Sequence, residues 1–205
     1  SLDNPESFWV PPSLFEWTRT REERPAVLEM QIEFKQGHVV AVDGQAMDLV
    51  PLIAHLNDMV GAFQIGRYSG LEHLPGGEKV LEVREAPAAT VLLDAFRHLE
   101  TAVLDAELLR EKAAIELLWT REAVEGRWFG PLRQCADTFI QHAAKQVTGK
   151  VTYQLRPGAM DICSIQAPCP LYLTDRDRWE KQLVDDRFQP LTSLPSTHCP
   201  EEVLV

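Results

Sequence analysis

The chain has 205 residues, 45% of them hydrophobic, and its 20 basic against 31 acidic residues leave a net charge of -11. That length supports one sizeable core, or a core with an extended tail. The acidic balance argues against a nucleic-acid partner, because such a surface repels phosphate backbones. No apolar run approaches the roughly 20 residues that cross a bilayer, and no secretory leader pattern is present. A cytoplasmic chain with no membrane partner is expected. The first residue is Ser, which suggests a fragment, a processed chain or a tagged one. Cys135, Cys163, Cys169 and Cys199 form no C-x-x-C pair and lie at no zinc-finger spacing from a histidine, so reduced thiols and no metal site are expected.

In chain order, residues 1–26 combine Pro5, Pro11 and Pro12 with Phe8, Trp9, Phe15 and Trp17. This is too apolar for a solvated linker, and an extended arm packed on the body or on another chain is expected. Thr18 to Arg24 is charged and expected to be exposed. Leu28, Met30, Ile32 and Phe34 alternate with polar residues, the period of a strand with one buried face. Gln36-Gly37 turns the chain into a second strand over His38 to Val42, closed by the turn dipeptide Asp43-Gly44. Asp48 is placed to cap a helix carrying Leu49, Leu52, Ile53, Leu56 and Val60, with Pro51 in its first turn and Gly61 at its end. Phe63 to Arg67 reads as a short strand, Ser69 to Gly77 as a loop, and Lys79 to Glu85 as a strand.

Pro87 opens a helix with Val91, Ala95 and Leu99 on one side, and a second helix is expected over Asp105 to Ala123. In a third, Leu132, Cys135, Ala136, Phe139, Ile140 and Ala143 form one apolar stripe. After Gly149, Val151, Tyr153 and Leu155 alternate as a strand. Arg156-Pro157-Gly158 makes a turn, and Met160 to Ile165 returns. Arg176 to Val184 could form a short helix, and the last fifteen residues have the composition of a disordered end. The sum is an α+β fold: antiparallel β-hairpins and sheet packed with a central block of three to four helices.

An ordered series of motifs then resembles one family. Pro11 to Thr18 is similar to its Pro-Pro segment. Ile32 to Gly37 with Val39 to Gly44 resembles its "IEFEKGVPVALDG" hairpin. Gly66-Arg67 with Glu72 resembles "GRxDxxENR", and Arg84-Glu85-Ala86-Pro87 stands in place of "YETP" or "YEAP". Gly126 to Leu132 resembles "GLWFSPL", Val147 to Val151 resembles "VTGxV", and Pro168 with Leu171-Tyr172 resembles "SPxSLY". The family is argininosuccinate synthase, and the resemblance is to its C-terminal synthetase domain. It divides the chain into an arm (1–26), a synthetase-like domain (27–172) and a divergent tail (173–205).

That resemblance implies an AMP-forming C–N ligase of arginine biosynthesis, in which ATP activates the ureido oxygen of citrulline and the aspartate amine displaces AMP. ATP, with Mg, is expected to be held by an N-terminal half. No glycine-rich phosphate cradle occurs in these 205 residues; Gly76-Gly77 follows Pro75 and reads as a hairpin turn. This chain alone is therefore expected to be inactive, and no residue is singled out as catalytic. By resemblance, Glu72 matches the glutamate that holds citrulline, where a carboxylate accepts charge-assisted hydrogen bonds. The second contact is a tyrosine in the family and Arg84 here, which offers only donors and a fixed charge. Arg84 could clamp a carboxylate, or pair with Glu82 or Glu85 on the surface. His73, Leu74 and Ser69 also depart from the family pattern. His55 and His142 are weaker candidates for chemistry, and Trp119, Trp128 and Phe129 are expected in a core or an interface. The implied partners are further copies of the chain, an ATP-binding half, and citrulline- or aspartate-type small molecules. The alternative is a divergent, non-catalytic binding or oligomerisation module of the same fold.

Overall fold

The computed structural model describes residues 4–21, 23–74, 76–177 and 180–181. A single turn of 3₁₀ helix at Pro12–Leu14 interrupts the arm. Then follow β1 (Leu28–Lys35), β2 (His38–Val42), β3 (Gln45–Ala46), α1 (Leu49–Gly61), β4 (Arg67–His73), β5 (Lys79–Glu85), α2 (Pro87–Val103), α3 (Ala106–Val124), α4 (Pro131–Ala144), β6 (Gly149–Arg156) and β7 (Ala159–Gln166). The α+β expectation holds, with a five-stranded sheet ordered β3-β2-β1-β6-β7 and a separate two-stranded ribbon β4-β5. The chain divides into two compact units. One comprises residues up to 34, 38–98 and 150–165; the other comprises 35–37, 99–149 and the residues from 166 onward.

The first unit is built on sequence alternation. Met30, Ile32 and Phe34 of β1 and Val151, Tyr153 and Leu155 of β6 are buried, and most of the residues between them are more exposed. Lys150 pairs with Glu33 at 2.9 Å, and Gln31 donates to the Thr152 hydroxyl at 3.2 Å. The two pairs have the same residue-number sum, the register of antiparallel neighbours. Gln36 and Gly37, and again Asp43 and Gly44, have positive φ, as two-residue hairpin turns of the primed type require. Leu52, Leu56 and Val60 of α1 and Ala88, Val91 and Ala95 of α2 complete the apolar interior. Phe34 and Phe96 meet at 5.6 Å between ring centres. The Tyr153 hydroxyl donates to Asp94 at 2.7 Å; burial, and then that bond, push its phenol well above the ordinary range.

In the second unit α3 and α4 form a helical pair. Asp105 caps α3 by accepting the Leu108 N–H at 2.8 Å. Trp119 packs edge-on to Trp128 at 5.6 Å, the Arg133 guanidinium lies 4.8 Å over Trp128, and Trp119 donates to Asp137 at 3.1 Å. Phe129 beside them is 86% exposed.

Several expectations are corrected. Phe63 to Arg67 is not a strand: Phe63 is a core residue, and Gln64 and Gly66 take positive φ in a turn. Ser69 to His73 is strand rather than loop, because β4 continues to His73. Both faces of β4 are largely open, so it carries no apolar alternation to read. Thr18 is fully buried rather than exposed. The α4 stripe is only partly covered, with Ala136 and Ala143 buried and Leu132 and Cys135 exposed. Cys135 and Cys163 are free thiols, but Cys169 is disulfide-bonded. Asp48 occupies the N-cap position of α1, yet its side chain makes no capping bond. Arg176, Asp177, Glu180 and Lys181 are helical; residues 182–184 and the last fifteen lie outside the described residues. Among the described residues no helix is long and apolar enough to cross a membrane, and no group of His, Cys, Asp or Glu could hold a metal.

Candidate functional site

The candidate site is a face of the β4–β5 ribbon. Its register pairs Tyr68 with Arg84, Gly70 with Glu82, and Glu72 with Val80. Side chains alternate between the faces of a strand, so Tyr68, Glu72, Glu82 and Arg84 all project from one side. Arg67, Ser69, Leu71, Val83 and Glu85 project from the other.

That second face anchors the arm. The Glu85 carboxylate accepts the N–H groups of Glu16 and Thr18 at 2.8 Å each, the N–H of Trp17 at 3.4 Å, and the Thr18 hydroxyl. Arg67 donates through Nε to the Thr18 hydroxyl at 2.8 Å and through its terminal nitrogen to the Thr18 carbonyl, with its guanidinium 3.9 Å from the Phe15 ring centre. Partial burial opposes ionisation of Glu85, but these donors outweigh it and hold the carboxyl below its ordinary value. A cavity of about 370 Å³ lies between arm and ribbon, walled by Val10, Leu14, Trp17, Val83 and Arg84 among others.

The first face stays open. The fold brings the two sequence candidates together: Arg84 lies 3.4 Å from Glu72 and closer still to Glu82, with both candidates about half exposed. The hydrogen bond to Glu82 is the main reason the guanidinium is held above its already high ordinary pKa. Of the alternatives open for Arg84, the surface pair with Glu82 is therefore present, and Glu85 is engaged elsewhere. Tyr68 is the member of this face that sequence reasoning missed, and the register supplies it once β4 is known to be a strand; Glu82 was read only as a surface partner of Arg84. Tyr68 lies down over Gly70. A Cβ at residue 70 would fall 2.6 Å from Cζ of Tyr68 and nearer still to its hydroxyl.

None of the other sequence candidates is a residue of this face. His73 projects to the opposite side of the ribbon, with its Nδ1 3.4 Å from Lys79 Nζ. Gly76-Gly77 sits in the β4–β5 turn, where the Gly77 N–H is used by the Leu74 carbonyl at 3.0 Å and is not offered to a phosphate. His55 lies on α1 and His142 in the last turn of α4.

Comparison with known proteins identifies the family. The family model described as "Arginosuccinate synthase C-terminal domain" matches residues 1–189. The argininosuccinate synthase of Acaryochloris marina is 37% identical over 173 residues, covering 83% of this chain and 43% of the relative. That of Methanopyrus kandleri is 36% identical over 178 residues (86% of this chain, 45% of the relative). That of Rubrobacter xylanophilus is 34% identical over 201 residues (95% and 49%). The chain thus spans a little under half the length of these relatives. With the motif series and the α+β architecture pointing the same way, the chain belongs to the argininosuccinate synthase family and corresponds to its C-terminal domain.

Proposed function

We propose that this chain is the C-terminal portion of an ATP-dependent ligase that joins citrulline to aspartate in arginine biosynthesis, in the cytoplasm. In that reaction the ureido oxygen of citrulline attacks the α-phosphorus of ATP and pyrophosphate leaves. The aspartate amine then attacks the activated carbon and AMP leaves. ATP and its Mg fall to an N-terminal half, since the one glycine pair that could suggest a phosphate cradle is a hairpin turn. The part of this chain is to hold citrulline, and the observation that carries the reading is the Glu72 carboxylate on the open ribbon face. An ammonium or ureido N–H donates to such a carboxylate more strongly than to a neutral acceptor. Titration calorimetry with L-citrulline tests this. Glu72→Gln is expected to weaken binding by about 10–100-fold, the equivalent of one charge-assisted hydrogen bond. Equal affinity of the two proteins would remove Glu72 from the site.

The second reading, a non-catalytic oligomerisation module, draws support from the second unit. Phe129, Val124 at 81% exposure and Leu117 at 74% present apolar side chains to solvent on and beside the α3–α4 pair. Self-association through these residues is compatible with either reading. Sedimentation velocity is expected to show a species larger than a monomer that Phe129→Asp shifts toward monomer. A monomer at all concentrations would exclude it.

A further inference from the structure

The open ribbon face carries more chemistry than its two sequence candidates. Glu72 and Glu82 supply two carboxylates and Arg84 one guanidinium, and the Arg84–Glu72 contact of 3.4 Å is the looser of its two ion pairs. Tyr68 stands directly across the ladder from Arg84 and is 51% exposed. Its ring lies along the ribbon toward the carboxylates, because residue 70 has no side chain to lift it. A phenol hydroxyl, a cation and two anions are thereby gathered on one open surface within five ladder pairs.

We propose that Tyr68 is a ligand-contacting residue of this face. Its hydroxyl and the Arg84 guanidinium take the carboxylate of a zwitterionic α-amino acid, whose ammonium is taken by Glu72 and Glu82. The charges match. Two carboxylates against one guanidinium leave the empty face with a net charge of -1, which favours an ammonium. A guanidinium held in place by Glu82 is pre-set to donate to a carboxylate. On binding, the Arg84–Glu72 contact opens and two contacts to ligand replace it, while Arg84 stays tethered by Glu82. Gly70 is part of the device, because a methyl group there must push the phenol aside. The displaced atom is the far end of a flexible side chain, so the ribbon itself is not disturbed.

This inference rests on the reading that the ribbon face binds substrate, and the experiment separates the two. The whole chain is titrated with L-citrulline, L-alanine, L-aspartate and citrulline amide, using the unsubstituted protein, Tyr68→Phe, Gly70→Ala and Glu72→Gln. Citrulline is expected to bind about 10–100-fold more weakly to Tyr68→Phe, as loss of one hydrogen bond to a carboxylate implies. Gly70→Ala is expected to follow it. Citrulline amide is expected to bind more weakly than citrulline, and equally to the unsubstituted protein and to Tyr68→Phe. Citrulline binding that depends on Glu72 but not on Tyr68 or Gly70 would overturn this inference and leave the proposed function standing. Tyr68-dependent binding of alanine or aspartate without citrulline would do the reverse. No binding of any of the four would overturn both.

Discussion

Replacing Lys112 by alanine is expected to destabilise the protein by about 3–5 kcal/mol, the usual consequence of removing one partner from a buried ion pair. Lys112 is 1% exposed, lies 2.6 Å from the buried carboxylate of Glu100, and also reaches Glu116. Burial works to discharge the amine, but the hydrogen bonds to Glu100 and Glu116 prevail and raise its pKa. Alanine leaves the Glu100 carboxylate in the interior without its ammonium. For a chain of this size the cost corresponds to a fall in Tm of roughly 6–20 °C. A paired replacement, Lys112→Met with Glu100→Leu, is expected to recover most of the loss, because the cost lies in keeping the Glu100 carboxylate buried after its ammonium is removed. Differential scanning calorimetry of the three proteins checks this. A single variant as stable as the parent would show that water or a rearranged side chain reaches Glu100.

The arm supplies the second large effect. Gly61 ends α1 beneath it, and a Cβ there would fall onto the carbonyl oxygen of Trp17 and within 2.9 Å of its carbonyl carbon. Both are backbone atoms and cannot rotate away. Gly61→Val is expected to cost about 3 kcal/mol, at the upper end for overpacking, and to lift the arm off the body. Tryptic cleavage at Arg19 or Arg21 should then outpace global unfolding. Acid should do the same to the unsubstituted protein. The folded-state pKa of Glu85 lies below its unfolded value. The arm's attachment is therefore fully present above the ordinary glutamate range and lost as pH falls through the lower, folded value. Glu85→Gln should abolish that acid dependence. An arm equally resistant to protease in all three cases would contradict this anchoring.

Whether a segment was legible in the sequence followed from whether its signal was local. β1 and β6 could be read because one of their faces is buried and the side-chain period declares it. The primed turns could be read because Gln36-Gly37 and Asp43-Gly44 are short and rich in residues that tolerate positive φ. β4 could not, since neither face is covered and Gly70 suggests a loop. That error concealed Tyr68, whose place across from Arg84 depends on cross-strand register. Glu72 itself was found only through its motif; as a solvated glutamate it carries no distinguishing pattern. Thr18 sits in a charged, polar stretch, and nothing nearby announces its burial by Glu85 and Arg67, which lie 67 and 49 residues away. The α4 stripe was visible, but periodicity shows only that a face is apolar, not that it is covered.

The most direct test is to combine the chain with the ATP-binding half of a family relative, confirm association by sedimentation, and measure AMP release with product formation by mass spectrometry. The expected result is argininosuccinate and AMP in equal amounts, requiring citrulline, aspartate and ATP together and falling with Glu72→Gln. Confirmed association with no AMP above that of the ATP-binding half alone would contradict a role in ligation and leave the non-catalytic module as the function of this domain.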